Sequence, residues 1–164
     1  MDFVAILMGS KSDYEVVSEA GKILDKFGVK YELIITSAHR SPQRTIDYIK
    51  EAEQKGAKVF IAAAGMAAHL AGAVAAHTTK PVLGVPMSGA NLASMDSLFS
   101  TSQMPRGIPV ATLSIGKAGA VNAAYLAVQI LALNDENLAK ALNDERKEQE
   151  NKLIADSKSV EVRL

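Results

Sequence analysis

The chain has 164 residues, which is enough for one domain with a full core and short for two. Its 18 basic and 18 acidic residues balance, so no net field attracts nucleic acid or an anionic membrane. The absence of cysteine excludes disulfides, thiolate catalysis and sulfur-ligated metals. We expect a cytoplasmic protein that binds neither nucleic acid nor membrane.

The first half of the chain alternates apolar runs with segments of helical spacing. Continuous apolar runs of this length are typical of buried parallel strands, and Gly28 and Gly56 stand where helix C-terminal caps are expected. The pattern predicts strands at 2–8, 29–35 and 58–64, with helices at 13–27 and 42–54.

The second half predicts strands at 81–85 and 108–113, a short helix at 94–101 and an Ala-rich helix at 117–133. Alternating strands and helices imply right-handed crossovers. We therefore predict an α/β fold, a flavodoxin-like, doubly wound, five-stranded parallel sheet in the order 2-1-3-4-5. The whole of 1–164 is predicted to form a single domain with its core in 1–133. A charged segment at 135–158 predicts a projecting C-terminal helix, which either lies on the surface or docks on a neighbouring subunit.

The middle of the chain is almost free of charge, since Lys80 is the only charged residue between Val59 and Met95. The uncharged run 59–79 raises a membrane span as an alternative. Its alanines and glycines, with few large apolar side chains, argue against that alternative. We expect this segment to be buried on nearly every side, partly by other subunits.

Three polar clusters follow the first three predicted strands, at residues 9–13, 36–42 and 64–69. Strands 2, 1 and 3 are neighbours in the predicted order, so their carboxyl ends lie together at the topological switch point. Ligands of open α/β sheets bind there, and helix N-termini favour anions. We expect the three clusters to line one crevice.

The first cluster contains Ser10, Ser12 and Asp13. Ser12 with Glu15 has the spacing of a capping box, but capping does not explain both serines and the glycine before them. Hydroxyls and backbone donors suit a phosphate, and the Asp13 carboxylate suits sugar hydroxyls. The pattern is neither a Walker loop nor a dinucleotide fingerprint.

The second cluster places Ser37, His39 and Arg40 before a helix that Pro42 can open. Arginine binds phosphate with a fixed fork of donors, and histidine titrates near neutral pH. The alternatives are a hydrogen-bonded structural histidine and a surface salt bridge. The position of His39 and Arg40 at the switch point favours a functional role over these alternatives.

The third cluster begins with Ala64 and Gly65 and ends with His69. Small side chains allow a flat ligand to lie against backbone, whose amides suit a carboxylate; close helix packing is the alternative. His69 is either a core histidine or a support for another site residue. We expect no metal, because the clusters that hold His39 and His69 each bring no second histidine and no cysteine.

The chain resembles the bacterial class I family of N5-carboxyaminoimidazole ribonucleotide mutases, the catalytic subunit of phosphoribosylaminoimidazole carboxylase. The resemblance covers about residues 4–142 and rests on the motifs MGSKSD (8–13), SAHR (37–40), AGMAAHL (64–70), MDSL (95–98) and QMPRGIPVAT (103–112). It implies a step of purine biosynthesis that moves a carboxylate from an exocyclic nitrogen to the adjacent imidazole carbon.

The resemblance also implies roles for residues. His39 matches the family's proton-transfer histidine, and the substrate-binding positions are matched by Ser10, Asp13 and Arg40, with Ser12 and Ser37 nearby. The segment with Ala64, Gly65 and His69 matches the one that shelters the carboxylate or carbon dioxide. The resemblance implies no ATP, metal or organic cofactor, and a homo-octamer with active sites at subunit contacts.

Three alternative functions share the predicted topology. A flavin or nucleotide-binding module predicts an aromatic over the bound ring, yet Tyr14 is the only aromatic near the first loop. A signalling receiver domain needs acidic residues at strand ends, and the first strand ends in Leu7-Met8-Gly9. Direct carboxylation of the aminoimidazole nucleotide by carbon dioxide is the third alternative.

Overall fold

A computed structural model describes residues 2–163 of the chain. Within these residues, five strands form one parallel sheet in the order β2-β1-β3-β4-β5, which confirms the predicted order. The strands are β1 Phe3–Met8, β2 Tyr31–Ile35, β3 Ala57–Ala64, β4 Val82–Pro86 and β5 Ala111–Thr112. The helices are α1 Tyr14–Lys26, α2 Pro42–Lys55, α3 Leu70–Ala75, α4 Met95–Ser102, α5 Lys117–Ala132 and α6 Glu136–Val160.

The centre of the sheet is the core of the protein. Every residue of β1 and β4 is buried, as is most of β3, whereas the edge strand β2 is only partly covered. Helices cover the faces of a parallel sheet, so its inner strands are apolar on both sides. The largest fully buried side chains include Phe60, Ile6, Leu7, Met8, Leu24 and Ile49.

Two elements differ from the prediction. Helix α3 lies in the uncharged segment where no helix was predicted, because an Ala- and Gly-rich helix that is buried on most sides has no polar stripe to reveal its period. Strand β5 is shorter than the predicted 108–113. Its register pairs only Ala111 and Thr112 with β4, and Pro109 just before them has no N–H to donate to a ladder.

Helix α4 packs directly on the backbone of β4. A Cβ atom at Gly84 would lie 2.5 Å from Thr101 Cγ2 and 2.8 Å from Val110 Cγ1. Only glycine allows an approach this close. The contact fixes α4 beside the carboxyl end of β4, where the next residues form a loop.

The chain divides into two compact units, one ending at Val128 and one beginning at Gln129. The second unit contains α6, whose N-terminus is capped by Asp135. The Asp135 carboxylate accepts hydrogen bonds from the backbone of Asn137 and Leu138 at 2.9 and 3.1 Å. A single domain with its core in 1–133 and an extension at 135–158 stays a prediction. No helix in the described range is both long and apolar enough to span a membrane.

Candidate active site

The loops that follow β1, β2, β3 and β4 line one cavity of about 750 Å³. This volume is within the range of small-molecule sites, roughly 300–1,000 Å³. All the residues predicted to form the site lie on its wall: Ser10, Ser12, Asp13, Ser37, His39, Arg40, Ala64, Gly65 and His69. The three clusters therefore lie together, as strand order predicts.

The β1 loop is stabilised by its own hydroxyls. Ser10 caps the short 3-10 turn Lys11–Asp13, and its Oγ accepts hydrogen bonds from Ser12 N at 3.3 Å and Ser12 Oγ at 2.9 Å. The spacing of Ser12 and Glu15 does not form a capping box here, because the turn begins at Lys11 and Ser10 is its cap. Burial raises the pKa of Asp13, and hydrogen bonds from the Ser10 backbone and the Ser12 side chain partly oppose that rise.

The β2 loop is joined to the β1 loop by Arg40. Its guanidinium donates to the Gly9 carbonyl at 2.9 Å, and its backbone N–H donates to Ser37 Oγ at 3.1 Å. Ser41 Oγ accepts the Ser37 N–H at 3.0 Å, which closes the loop on itself. A guanidinium has five N–H donors, so the contact with Gly9 leaves others for an anion in the cavity.

Two histidines meet across the cavity. His39 Nε2 lies 2.8 Å from His69 Nδ1, with ring centroids 4.9 Å apart and planes at 82°. One imidazole donates and the other accepts in such a contact. The contact fixes the orientation of both rings. Sequence spacing alone did not predict this contact across 30 positions.

The β3 loop presents backbone and small side chains to the cavity. A Cβ atom at Gly65 would lie 3.4 Å from Met87 Cβ, an ordinary contact, so packing does not require glycine there. Met66 has φ 56°, a left-handed conformation that is uncommon for residues other than glycine. The loop ends at His69, directly before α3.

The fourth wall of the cavity was not predicted from the sequence. It is formed by the β4 loop and the start of α4: Met87, Ser88, Gly89, Ala90, Asn91 and Asp96. Because β4 neighbours β3 in the predicted order, the strand-end rule that identified the other loops also predicts this one.

Asp96 Oδ1 is buried and makes no hydrogen bond within residues 2–163. Over that same range, no three His, Asp or Glu side chains are grouped as metal ligands.

Known proteins resemble this chain over most of its length. The family model described as AIR carboxylase matches residues 3–152. N5-carboxyaminoimidazole ribonucleotide mutase of Escherichia coli (strain K12) is 52% identical, over 92% of this chain and 89% of its own. The mutase of Bacillus subtilis (strain 168) is 53% identical, over 94% of both chains.

Solved structures agree with these matches. Treponema denticola PurE has a TM-score of 0.89 and 27% identity, covering 99% of this chain and 100% of its own. A singly substituted form of Treponema denticola PurE2 has a TM-score of 0.90 and 28% identity, covering 98% of this chain and 99% of its own. With the family model matching nearly the whole chain and relatives about half identical, this chain belongs to the AIR carboxylase family.

Proposed function

We propose that this protein is an N5-carboxyaminoimidazole ribonucleotide mutase of purine biosynthesis. It converts N5-carboxyaminoimidazole ribonucleotide into 4-carboxy-5-aminoimidazole ribonucleotide. The names of the half-identical relatives support the substrate. The observation that carries the proposal is that a paired imidazole, an arginine and a small-residue loop line the same cavity.

The ribonucleotide binds along the β1 and β2 loops. Arg40 pairs with the phosphate, helped by the hydroxyls of Ser10, Ser12 and Ser37. The Asp13 carboxylate accepts hydrogen bonds from the ribose hydroxyls. Arg40 already bridges these two loops through Gly9, so its guanidinium is oriented before the nucleotide arrives.

The base then lies between His39 and the β3 loop. His39 gives a proton to the exocyclic nitrogen as the bond from that nitrogen to the carboxylate carbon breaks. The carboxylate leaves as carbon dioxide, and the adjacent ring carbon attacks it to form the new carbon–carbon bond. His39 then takes the proton from that ring carbon, which restores the aromatic ring. One imidazole serves both steps because it ends in the state in which it began.

The β3 loop holds the carbon dioxide between the two steps. Ala64 and Gly65 leave room for it against the backbone, and His69 closes that side of the cavity by its contact with His39. Carbon dioxide that escapes to solvent is lost to the reaction, so exclusion of water is part of the mechanism. The chemistry described needs no ATP, metal or organic cofactor.

The protein works as a cytoplasmic homo-octamer in this proposal. Several large apolar side chains are exposed in the single chain, including Met66 of the cavity wall at 71%, Leu92, which follows the wall residue Asn91, at 73%, and Phe99 of α4 at 52%. Large exposed apolar side chains are typical of a surface that a partner covers. Further copies of this chain cover them and complete the wall of each cavity. Light scattering on the purified protein tests the octamer directly.

The decisive assay supplies N5-carboxyaminoimidazole ribonucleotide without ATP or bicarbonate and follows the carboxylated product. Turnover under these conditions is the expected result. A second arm supplies aminoimidazole ribonucleotide with carbon dioxide, which tests direct carboxylation. Turnover in the second arm alone assigns the protein to that reaction, and turnover in neither arm rejects the proposed function.

A further inference from the structure

Ser100 lies outside the cavity wall but makes a hydrogen bond to the β3 loop of the site. Ser100 lies on α4 and, within residues 2–163, is not among the residues that line the cavity. Its Oγ accepts a hydrogen bond from Ala68 N at 2.9 Å and donates to the Asp96 carbonyl at 2.6 Å. The Ser100 hydroxyl therefore donates its one proton to a carbonyl within α4 and accepts a hydrogen bond from the β3 loop.

The segment that Ser100 contacts needs support from outside. Met66 is held in the left-handed region, and its carbonyl lies 3.4 Å from Ser100 Oγ. Such backbone persists only where surrounding contacts hold it. Ala68 is 1% exposed, so water does not replace the serine as a partner for its N–H. Ser100 is the acceptor that satisfies this buried donor.

Helix α4 is itself anchored to the sheet. Ser97 is fully buried, and its Oγ donates to the Met87 carbonyl at 2.8 Å, just beyond β4. Thr101 lies against Gly84 in β4, where any side chain larger than hydrogen would collide with it. Ser100 sits between these two anchors, so it presents its hydroxyl to the β3 loop from a fixed support.

We propose that Ser100 is a positioning residue for the mutase reaction. It holds the Ala68 amide, and Ala68 precedes His69, whose Nδ1 lies 2.8 Å from His39 Nε2. Through this chain of contacts Ser100 places His69 against His39 and shapes the loop that holds the carbon dioxide. The inference rests on the proposed function.

The contact predicts a particular kinetic result. Phosphate and ribose bind at the β1 and β2 loops, and no hydrogen bond joins Ser100 to either loop among the described residues. Loss of the hydroxyl therefore changes the rate of the chemical step and leaves nucleotide binding almost unchanged. A small misplacement of catalytic groups can lower a rate by up to about 100-fold.

The experiment compares Ser100→Ala with Ser102→Ala, which removes a hydroxyl two positions along the same helix. We expect Ser100→Ala to lower kcat by about 10- to 100-fold with KM within about 3-fold, and Ser102→Ala to match the wild type. Ser100→Thr keeps the hydroxyl and restores most of the rate. Ser100→Cys, which keeps the size but weakens the acceptor, gives an intermediate kcat and replaces the alanine variant if that variant does not fold.

A second readout does not depend on mutase activity. Hydrogen–deuterium exchange of the peptide covering residues 64–70 should accelerate in Ser100→Ala and not in Ser102→Ala. Wild-type kcat in Ser100→Ala, or an equal loss shared with Ser102→Ala, overturns the inference, as does a loss confined to KM. Inactive wild-type protein instead rejects the proposed function, and the exchange result then still decides whether Ser100 holds the loop.

Discussion

The two sides of the cavity are stabilised in different ways. The polar side, residues 9–13 and 37–41, is held by hydrogen bonds among its own residues: Ser12 to Ser10 and Ser37 to Ser41 within each loop, and Arg40 to Gly9 between the loops. The small-residue side, residues 64–69 and 87–91, is held by serine hydroxyls outside the cavity wall: Ser100 accepts from Ala68, Ser97 donates to Met87, and Ser94 accepts from Gly89. The polar side therefore maintains its geometry with its own residues, whereas the small-residue side depends on hydroxyls that lie outside the cavity wall.

The contact of His39 with His69 joins the two sides, so a change there has the largest expected effect. We expect His39→Asn to lower kcat by at least about 100-fold, because general acid–base catalysis contributes on the order of 10²–10⁴-fold. Nucleotide binding, measured by calorimetry, should remain, since the phosphate and ribose contacts lie elsewhere. Near-normal turnover by this variant rejects the proton-transfer role.

A change on the polar side should weaken binding. Arg40→Ala removes the proposed phosphate contact and also the bond to the Gly9 carbonyl. We expect KM and the dissociation constant to rise by about 10- to 100-fold, the range for loss of a charge-assisted hydrogen bond. Arg44→Ala is the matched control, because Arg44 contacts the Ile35 carbonyl at 3.4 Å and does not line the cavity within residues 2–163. Unchanged binding in Arg40→Ala contradicts the phosphate assignment.

A change on the small-residue side should act by crowding the ligand. Gly65→Ala adds a methyl group whose nearest protein neighbour lies at an ordinary 3.4 Å, so the fold tolerates it. If the carboxylate lies against this backbone, kcat/KM should fall by about 10-fold, within the range for a steric mismatch of one methyl group. The melting temperature serves as the control. A variant with wild-type kcat/KM places the carboxylate away from Gly65.

The smallest expected effect is on the pH dependence of stability, through Asp13 on the polar side. Burial raises the pKa of Asp13 above its ordinary 3.8, so just above that pH the folded chain keeps a proton that the unfolded chain has lost. The free energy of unfolding therefore loses a contribution as pH rises through this window. Asp13→Asn cannot ionise. Its melting temperature should match the wild type near pH 3, below the ordinary pKa, and exceed it slightly near pH 7; a variant that is less stable at pH 7 contradicts this sign.

Features that have local sequence signals were predicted from the sequence, and features that depend on tertiary packing were not. The strand order and the polar loops follow from local signals: apolar runs, glycines after helices, and hydroxyls at strand ends. Helix α3 gives no such signal, because a helix that is buried on most sides has no polar stripe to reveal its period. The contact of Ser100 with Ala68 depends on how α4 packs over Gly84, a tertiary event that no short motif records. The β4 loop could have been predicted by the strand-end rule; between its strand and Asp96 it carries no charged or histidine side chain to mark it as a site.

The central claim is that the carboxylate moves within one enclosed cavity. It is tested by turnover of unlabelled N5-carboxyaminoimidazole ribonucleotide in buffer containing isotopically labelled bicarbonate and carbonic anhydrase. Our account predicts that early product retains the substrate's own carbon and is almost free of label. Early product that carries the label of the medium would show that carbon dioxide leaves the cavity before the new bond forms.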